Sequence, residues 1–399
     1  MSSYDIIVVG AGIVGLATAY QIIQNDSNLR ICIIEKEKTI CQHQTGNNSG
    51  VIHSGIYYKP NSLKALNCRH GYKLLIDFCN ENNIPYKICG KVIVATNETE
   101  LPRLNTLYER GINNGLEGLK ILSSKEISEI EPFAKGVKGI YVPQTGVIDF
   151  KVVCQKLSEI LESKKVEFKF SETLRKITVA NIIKIQTDKD NYQCKKLVTC
   201  CGLFSDRVAR MTNPEIDFRI IPFRGEYYKL LPEKSNFVKT LIYPVPDPEF
   251  PFLGVHFTRR ISNEVEAGPN AVFAFKREGY KKTDINLYDL KESLFYPGFL
   301  KMAIKYWKVG IAEYYRSFSK RAFVNALKKL IPEISTVDLV KGGSGVRAQA
   351  CDIKGKLIDD FLIVENNNVV HICNAPSPAA TASLAIGETI AKTVLNVRF

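Results

Sequence analysis

The sequence predicts a doubly wound α/β domain, discontinuous along the chain, joined to an α+β domain built on a mostly antiparallel sheet. Three observations carry this. The chain opens on a strand, a glycine turn, a helix and a second strand. A strand running into a turn and helix returns near residue 200 and again near residue 374. Between these returns the strands are rich in Phe, Tyr and Val and lack that alternation. The expected division is 1–85, 145–216 and 342–399 for the first domain, and 86–144 and 217–341 for the second.

The opening unit is the most specific. Tyr4 to Val9 is a β-branched run of the kind buried on both faces of a sheet. Gly10-Ala11-Gly12-Ile13-Val14-Gly15 follows, then a helical stretch from Leu16, then Ile31 to Ile34 closing on Glu35. This is a Rossmann-like dinucleotide fingerprint in its required setting. Gly10 permits the sharp turn, Gly12 lets a pyrophosphate approach the backbone, and Gly15 lets the helix lie close on the sheet. The helix N-terminus at Ile13 and Val14 offers unpaired N–H groups to phosphate. Glu35, followed by Lys36, is placed to accept from a ribose hydroxyl.

Composition narrows the class. The 399 residues, 45% hydrophobic and 24% charged, suit a globular chain with a sizeable core. No apolar run is long enough to span a bilayer. The first strand begins almost at once, so no leader peptide is expected. Eleven cysteines without a C-x-x-C pair point to reduced thiols and no zinc site, and the adjacent Cys200 and Cys201 read as packing residues. A net charge of +13 would suit nucleic acid, anionic lipid or an acidic substrate, or is a lysine-rich surface bias. No nucleic-acid-binding motif accompanies it.

Along the chain, Cys41 to Tyr58 is too polar and glycine-rich for a regular element. Such a loop can wrap a cofactor, and Thr45, Asn48, Ser49 and Gly50 are its expected contacts. Helices are expected at Leu63–Asn80, Pro102–Asn114, Val152–Ser163 and Ala382–Val394. Strands are expected at Lys91–Ala95, Val166–Phe170, Asn181–Thr187, Lys196–Cys200, Leu362–Val364 and Val369–Cys373. Strand ends place Thr173, Cys201 and Gly202 beside the cofactor, and the turn Pro376, Ala379, Ala380, Thr381 at the same edge. Within Phe299 to Leu330, Lys301, Lys305, Lys308, Arg316 and Lys320 fall on one helical face. Phe299, Ile304, Trp307, Ile311, Tyr314, Phe318, Phe323 and Leu327 fall on another. Two helices packed on the substrate domain, or a basic-aromatic membrane contact, both satisfy this pattern.

NAD and FAD both use the opening fingerprint. The N-terminal position, the polar loop Gln44–Gly55 and the C-terminal return favour FAD. Three groups of residues carry a family resemblance: His43-Gln44-Thr45-Gly46, Asn48 to Gly55 and Tyr57-Tyr58-Lys59-Pro60; Pro222 to Tyr227, Ile242 to Asp247, Pro251 to Thr258, Gly268 to Val272 and Ala274 to Tyr280; Gly345 to Ala350 and Asn374 to Thr381. They span nearly the whole chain. The chain resembles the L-2-hydroxyglutarate dehydrogenase (oxidase) family of the D-amino-acid-oxidase-like flavoproteins. One departure is Asn47, where the family pattern has His.

The resemblance implies FAD and oxidation of L-2-hydroxyglutarate to 2-oxoglutarate by hydride transfer to flavin N5. It also implies that electrons pass to a membrane quinone, or slowly to oxygen. The expected location is the cytoplasm, peripheral on the inner face of the cell membrane. Other small acids or amines (glycine, sarcosine, glycerol 3-phosphate), a flavin-binding protein without turnover, and an NAD-linked dehydrogenase remain alternatives. A dicarboxylate needs cations, and arginine grips a carboxylate through two parallel hydrogen bonds. Arg347 is the first candidate, with Lys276 and Arg260 for the distal carboxylate and Asn374 beside them. A base must take the hydroxyl proton. Of five histidines, His53 and His256 are the candidates; His70 reads as structural, and His371 as structural or a flavin contact.

Overall fold

The computed structural model describes residues 2–247 and 252–395. Its first sheet has eight strands. Ser2–Val9 lies parallel to and between Ile31–Glu35 and Asn191–Thr199, and Glu167–Phe170 extends the sheet beyond Ile31–Glu35. Asn191–Thr199 divides its other edge. The hairpin of Leu174–Thr178 and Ile183–Thr187 takes the first half antiparallel, and Val369–Asn374 pairs parallel with 197–199. The C-terminal segment thereby completes the sheet that the N-terminus begins.

Four helices cover one face: Ile13–Asn25, Leu63–Glu81, Phe150–Ser163 and Ser383–Leu395. Their buried sides meet Ile6, Val8 and Ile33 in one core with Leu16, Leu75, Leu157 and Ile390. The first and last helices come unusually close, because a Cβ on Gly387 would stand 2.6 Å from the Ala17 carbonyl oxygen.

The second sheet has nine strands and is mostly antiparallel, the parallel exception being Lys91–Ala95 beside Leu241–Pro244. Its spine is Phe218–Leu230 paired with Leu339–Asp352. The expected boundary at 342 falls inside that second strand, so residues 342–352 lie in the antiparallel sheet. Val92, Val94, Phe257, Phe323 and Leu327 form the core beneath.

The expected helical stretch forms Pro297–Phe318 and Lys320–Leu327, and its apolar side is divided. Tyr306 leaves helical geometry (φ −111°, ψ 19°) and kinks the first helix. Phe299, Phe323 and Leu327 turn into the core, while Ile304, Trp307, Ile311 and Phe318 are exposed.

An ion network ties the sheets together near the cavity described next. The Arg277 guanidinium, 2% exposed, donates to both oxygens of the fully buried Asp206, to Glu292 at 2.8 Å and to the Leu203 carbonyl at 2.6 Å. Asp206 also accepts from the Ile220 N–H at 3.0 Å. Arg277→Met leaves the Asp206 carboxylate buried without its main cation, and urea unfolding should show a loss of about 3–5 kcal/mol. Adding Asp206→Asn should recover part of it.

Candidate active site

A cavity of about 1200 Å³ opens at the carboxyl ends of the parallel strands and continues to the inner side of the antiparallel sheet. This is where ligands bind in doubly wound folds. Gly10, Gly12, Ile13, Val14, Gly15, Glu35, Lys36 and Thr173 line one end. Thr45, Asn48, Ser49, Gly50, Cys201, Gly202, Pro376, Ala379 and Ala380 line its length. His53, His256, Arg347 and Asn374 line the remainder.

The first end is shaped by backbone. Gly10 sits at φ +107°, where a Cβ would stand 2.4 Å from the Cys200 carbonyl oxygen. A Cβ on Gly15 would stand 1.9 Å from the Gly10 carbonyl oxygen. At Gly12, by contrast, only Thr45 Oγ1, at 3.4 Å, lies within 4 Å of a Cβ position, so the backbone faces open cavity. Thr45 Oγ1 accepts the Ile13 N–H at 3.1 Å and fixes the polar loop on the helix start. Glu35 accepts from the Ala11 and Glu37 N–H groups at 2.7 and 2.9 Å. Lys36 pairs with Glu37 and Glu278, and these carboxylates also flank His43. An open glycine cradle at a 13-residue helix, with a carboxylate beyond it, fits a dinucleotide. Asn47 Nδ2 donates to the Gln42 and His43 carbonyls, closing the loop as a turn.

The other end is apolar-walled and cationic. The Arg347 guanidinium stands 5.1 Å from the centre of the Phe252 ring, and its Nη1 is buried without a hydrogen-bond partner. Burial pushes its pKa down. His256 Nδ1 lies 2.9 Å from the Gly254 carbonyl oxygen, and a carbonyl can only accept, so Nδ1 carries the proton and Nε2 keeps its lone pair. Its ring packs on Tyr243 at 3.9 Å. Burial, with smaller repulsion from Arg347 and Lys91, outweighs that hydrogen bond and pushes His256 down to about 3. Burial and the nearby Lys91 likewise push His53 down to about 3. His53 Nε2 lies 3.4 Å from Ser377 Oγ.

Four expected contacts lie outside the cavity wall. Arg260 braces the loop from behind, donating to the Asn48 carbonyl at 2.7 Å and to Glu266 at 3.3 Å. Lys276 does not line the cavity, although Glu278 two residues on does. Thr381 is buried beneath the wall, accepting the His53 N–H and donating to the Val51 carbonyl. His371 is a core residue between Thr199 and Thr212 hydroxyls at 2.7 and 2.6 Å. His70 pairs with Glu388. Asn374 spends its Nδ2 on the Ile358 and Asp360 carbonyls, leaving Oδ1 unpartnered. Tyr57, Tyr243, Phe252 and the nearby Lys91 were not among the expected site residues, although the first three fall within the segments that carry the family resemblance.

A family model described as FAD dependent oxidoreductase matches residues 5–393. The chain is 53% identical over 395 residues to the L-2-hydroxyglutarate dehydrogenase of Indibacter alkaliphilus, covering 98% of this chain and 99% of that one. It is 44% identical over 411 residues to the mitochondrial L-2-hydroxyglutarate dehydrogenase of Homo sapiens, covering 98% and 89%. Its fold matches an FAD-bound L-α-glycerophosphate oxidase from Mycoplasma pneumoniae with a TM-score of 0.81 at 23% identity, covering 100% and 96%. Glycine oxidase from Geobacillus kaustophilus follows with a TM-score of 0.76 at 15% identity, covering 100% and 96%. With a glycine cradle that fits a dinucleotide and relatives matched over nearly their full length, the chain belongs to the L-2-hydroxyglutarate dehydrogenase family of FAD-dependent oxidoreductases.

Proposed function

We propose that this protein oxidises L-2-hydroxyglutarate to 2-oxoglutarate with FAD. The identity to relatives of that activity across nearly the whole chain carries the reading. Three of the buried unpartnered polar atoms among the described residues support it, because Tyr57 Oη, Arg347 Nη1 and Asn374 Oδ1 all belong to cavity-lining residues. Natural folds seldom leave such atoms unused.

The expected cofactor contacts that line the cavity, from the glycine cradle with Glu35 and Lys36 through Thr45, Asn48, Ser49 and Gly50 to Thr173, Cys201, Gly202, Pro376, Ala379 and Ala380, are the residues that would hold FAD. Bound FAD supplies a two-electron acceptor for hydride at flavin N5. Arg347 binds the carboxylate next to the reacting carbon and sets that carbon's orientation. As the C2 hydrogen leaves with its electron pair, His256 Nε2 accepts the hydroxyl proton and the C–O bond becomes a carbonyl. His53 stands by as a second imidazole at the same wall. Burial is what chiefly holds His256 neutral, and the substrate's two negative charges oppose the smaller repulsion from Arg347 and Lys91, which raises the basicity of the base.

The acceptor we propose is a membrane quinone, with oxygen slower, and the location is the cytoplasmic face of the membrane. Support comes from the helix Pro297–Phe318. Ile304 and Phe318 are 74% and 76% exposed, Trp307 and Ile311 are exposed too, and Lys301, Lys305 and Lys308 interleave with them. Among the described residues no helix is long and apolar enough to cross a membrane. Reversing the charge of these three lysines should abolish sedimentation with anionic vesicles; undiminished binding removes this helix from the membrane contact.

The primary test is anaerobic bleaching of the flavin band at ~450 nm by L- but not D-2-hydroxyglutarate. Arg347→Ala should raise the substrate KM at least about 100-fold, as expected when a buried carboxylate loses its partner. An unchanged KM would remove Arg347 from the site. His256→Ala should lower kcat about 10²–10⁴-fold, the usual share of a general base. Because imidazole is competent only when neutral, and His256 is neutral down to about 3, kcat/KM should not fall from pH 7 down to about pH 5. An acid limb near pH 6.5, the ordinary histidine value, would count against it.

A further inference from the structure

The described residues include four buried basic side chains: Lys64, Lys91, Arg224 and Arg277. Lys64 pairs with Asp359, Arg224 with Glu226 and Arg277 with Asp206. Among the described residues Lys91 has no carboxylate partner. It heads the buried strand Lys91–Ala95, is 1% exposed, and its Nζ lies 4.4 Å from the centre of the Tyr57 ring and 5.0 Å from that of Tyr243. Both rings line the cavity, whereas Lys91 itself does not reach the wall. A cation buried without an anion is costly unless something it serves brings the anion.

We propose that Lys91 is a positioning residue that makes this site select a dianion, supplying from behind the Tyr57–Tyr243 wall the positive charge for a second carboxylate while Arg347 holds the first. The proposal deepens the substrate reading above and rests on it for the identity of the dianion. Arg260 and Lys276, the other candidates for the distal carboxylate, do not line the cavity. Lys91 acts through the aromatic wall in two ways. Its charge adds to the potential in the low-dielectric cavity. Against the Tyr57 ring face it also draws on the π-electrons of a phenol whose hydroxyl is buried and unpartnered.

The selection is tied to pH. The ionisable groups facing Lys91 are His53 beyond the polar loop, Tyr57, Cys68 on the helix Leu63–Glu81, Tyr243 and His256. Burial holds both histidines down at about 3, lifts Cys68 to about 12 and lifts both tyrosines. Burial also brings Lys91 down to about 7. Lys91 is thus the one member of the group to change charge near neutrality, charged below that value and neutral above it.

The test is calorimetric binding of glutarate, a dianion, and pentanoate, a monoanion of equal length, to the FAD-loaded protein. Wild type should bind glutarate at least about tenfold more tightly than pentanoate at about pH 6 and lose most of that preference at about pH 9. Lys91→Met should lack the preference at both pH values, and Lys91→Arg should keep it at both. A wild-type preference independent of pH, or one that survives in Lys91→Met, overturns the proposal. If Lys91→Met does not yield loaded protein, the wild-type pair of pH values decides alone. Failure of the substrate reading looks different: a wild-type flavin that L-2-hydroxyglutarate does not bleach.

Discussion

Three close backbone approaches hold the cofactor side together. The first turn packs on the strand end at Cys200 through Gly10, the first helix packs on that turn through Gly15, and the last helix packs on the first through Gly387. Each contact would be broken by a single Cβ, so the N-terminus, the middle crossover and the C-terminus form one inseparable unit. The functional loops hang from it by a few directed bonds. Thr45 caps the first helix, and Thr381 joins the C-terminal turn to the residues leading into His53. Rigid floor and tethered walls are what a site needs if a carbon is to be held within reach of a fixed acceptor atom.

Charge follows a second logic. Across most of the molecule buried cations are neutralised in place, as in the Arg277–Asp206–Glu292 network and around Lys36. The cavity breaks that rule, with Arg347 and Lys91 both lacking a carboxylate partner among the described residues. The overall charge of +13 does not by itself explain this, since surface lysines are screened by water and salt. What distinguishes the site is desolvated positive charge, for which a dicarboxylate is the natural complement.

The cofactor end was legible in the sequence because its chemistry lies in contiguous backbone: Gly10 to Gly15 specify a turn whatever surrounds them. Alternation and helical spacing placed Lys91–Ala95 as a strand and set the helices starting near Leu63 and Phe150 within a few residues of their observed bounds. The substrate end was less legible, because there a residue's role depends on which way it faces. Arg260 and Lys276 stood behind Arg347 as candidates for the distal carboxylate because they are basic residues in strand-rich segments, yet Arg260 turns to Glu266 and the Asn48 carbonyl. Lys91 is one of 54 basic residues, and only its burial between two tyrosines sets it apart. The helical face from Phe299 to Leu327 was only partly legible: Ser319 leaves helical geometry, and Phe323 and Leu327 beyond it are buried, whereas Ile304, Trp307, Ile311 and Phe318 before it are exposed.

Arg347 is carried on Leu339–Asp352, which pairs with Phe218–Leu230 in continuous register from Phe218 to Glu226, shifts before Tyr228, and places Arg347 opposite Phe223. A few residues later the same chain enters the strands of the cofactor sheet. The anchor proposed for the substrate and the floor beneath the cofactor cradle are therefore segments of one continuous ruler, graduated by a β-ladder. Side chains on such a ladder alternate between faces with a period of two. A slip of one residue in its register would not blur the placement of Arg347 but invert it, turning its side chain to the other face of the sheet. Evolution of substrate range in this architecture is thus free to rework the loops and the aromatic wall, while this ladder stays discrete and admits no half-steps.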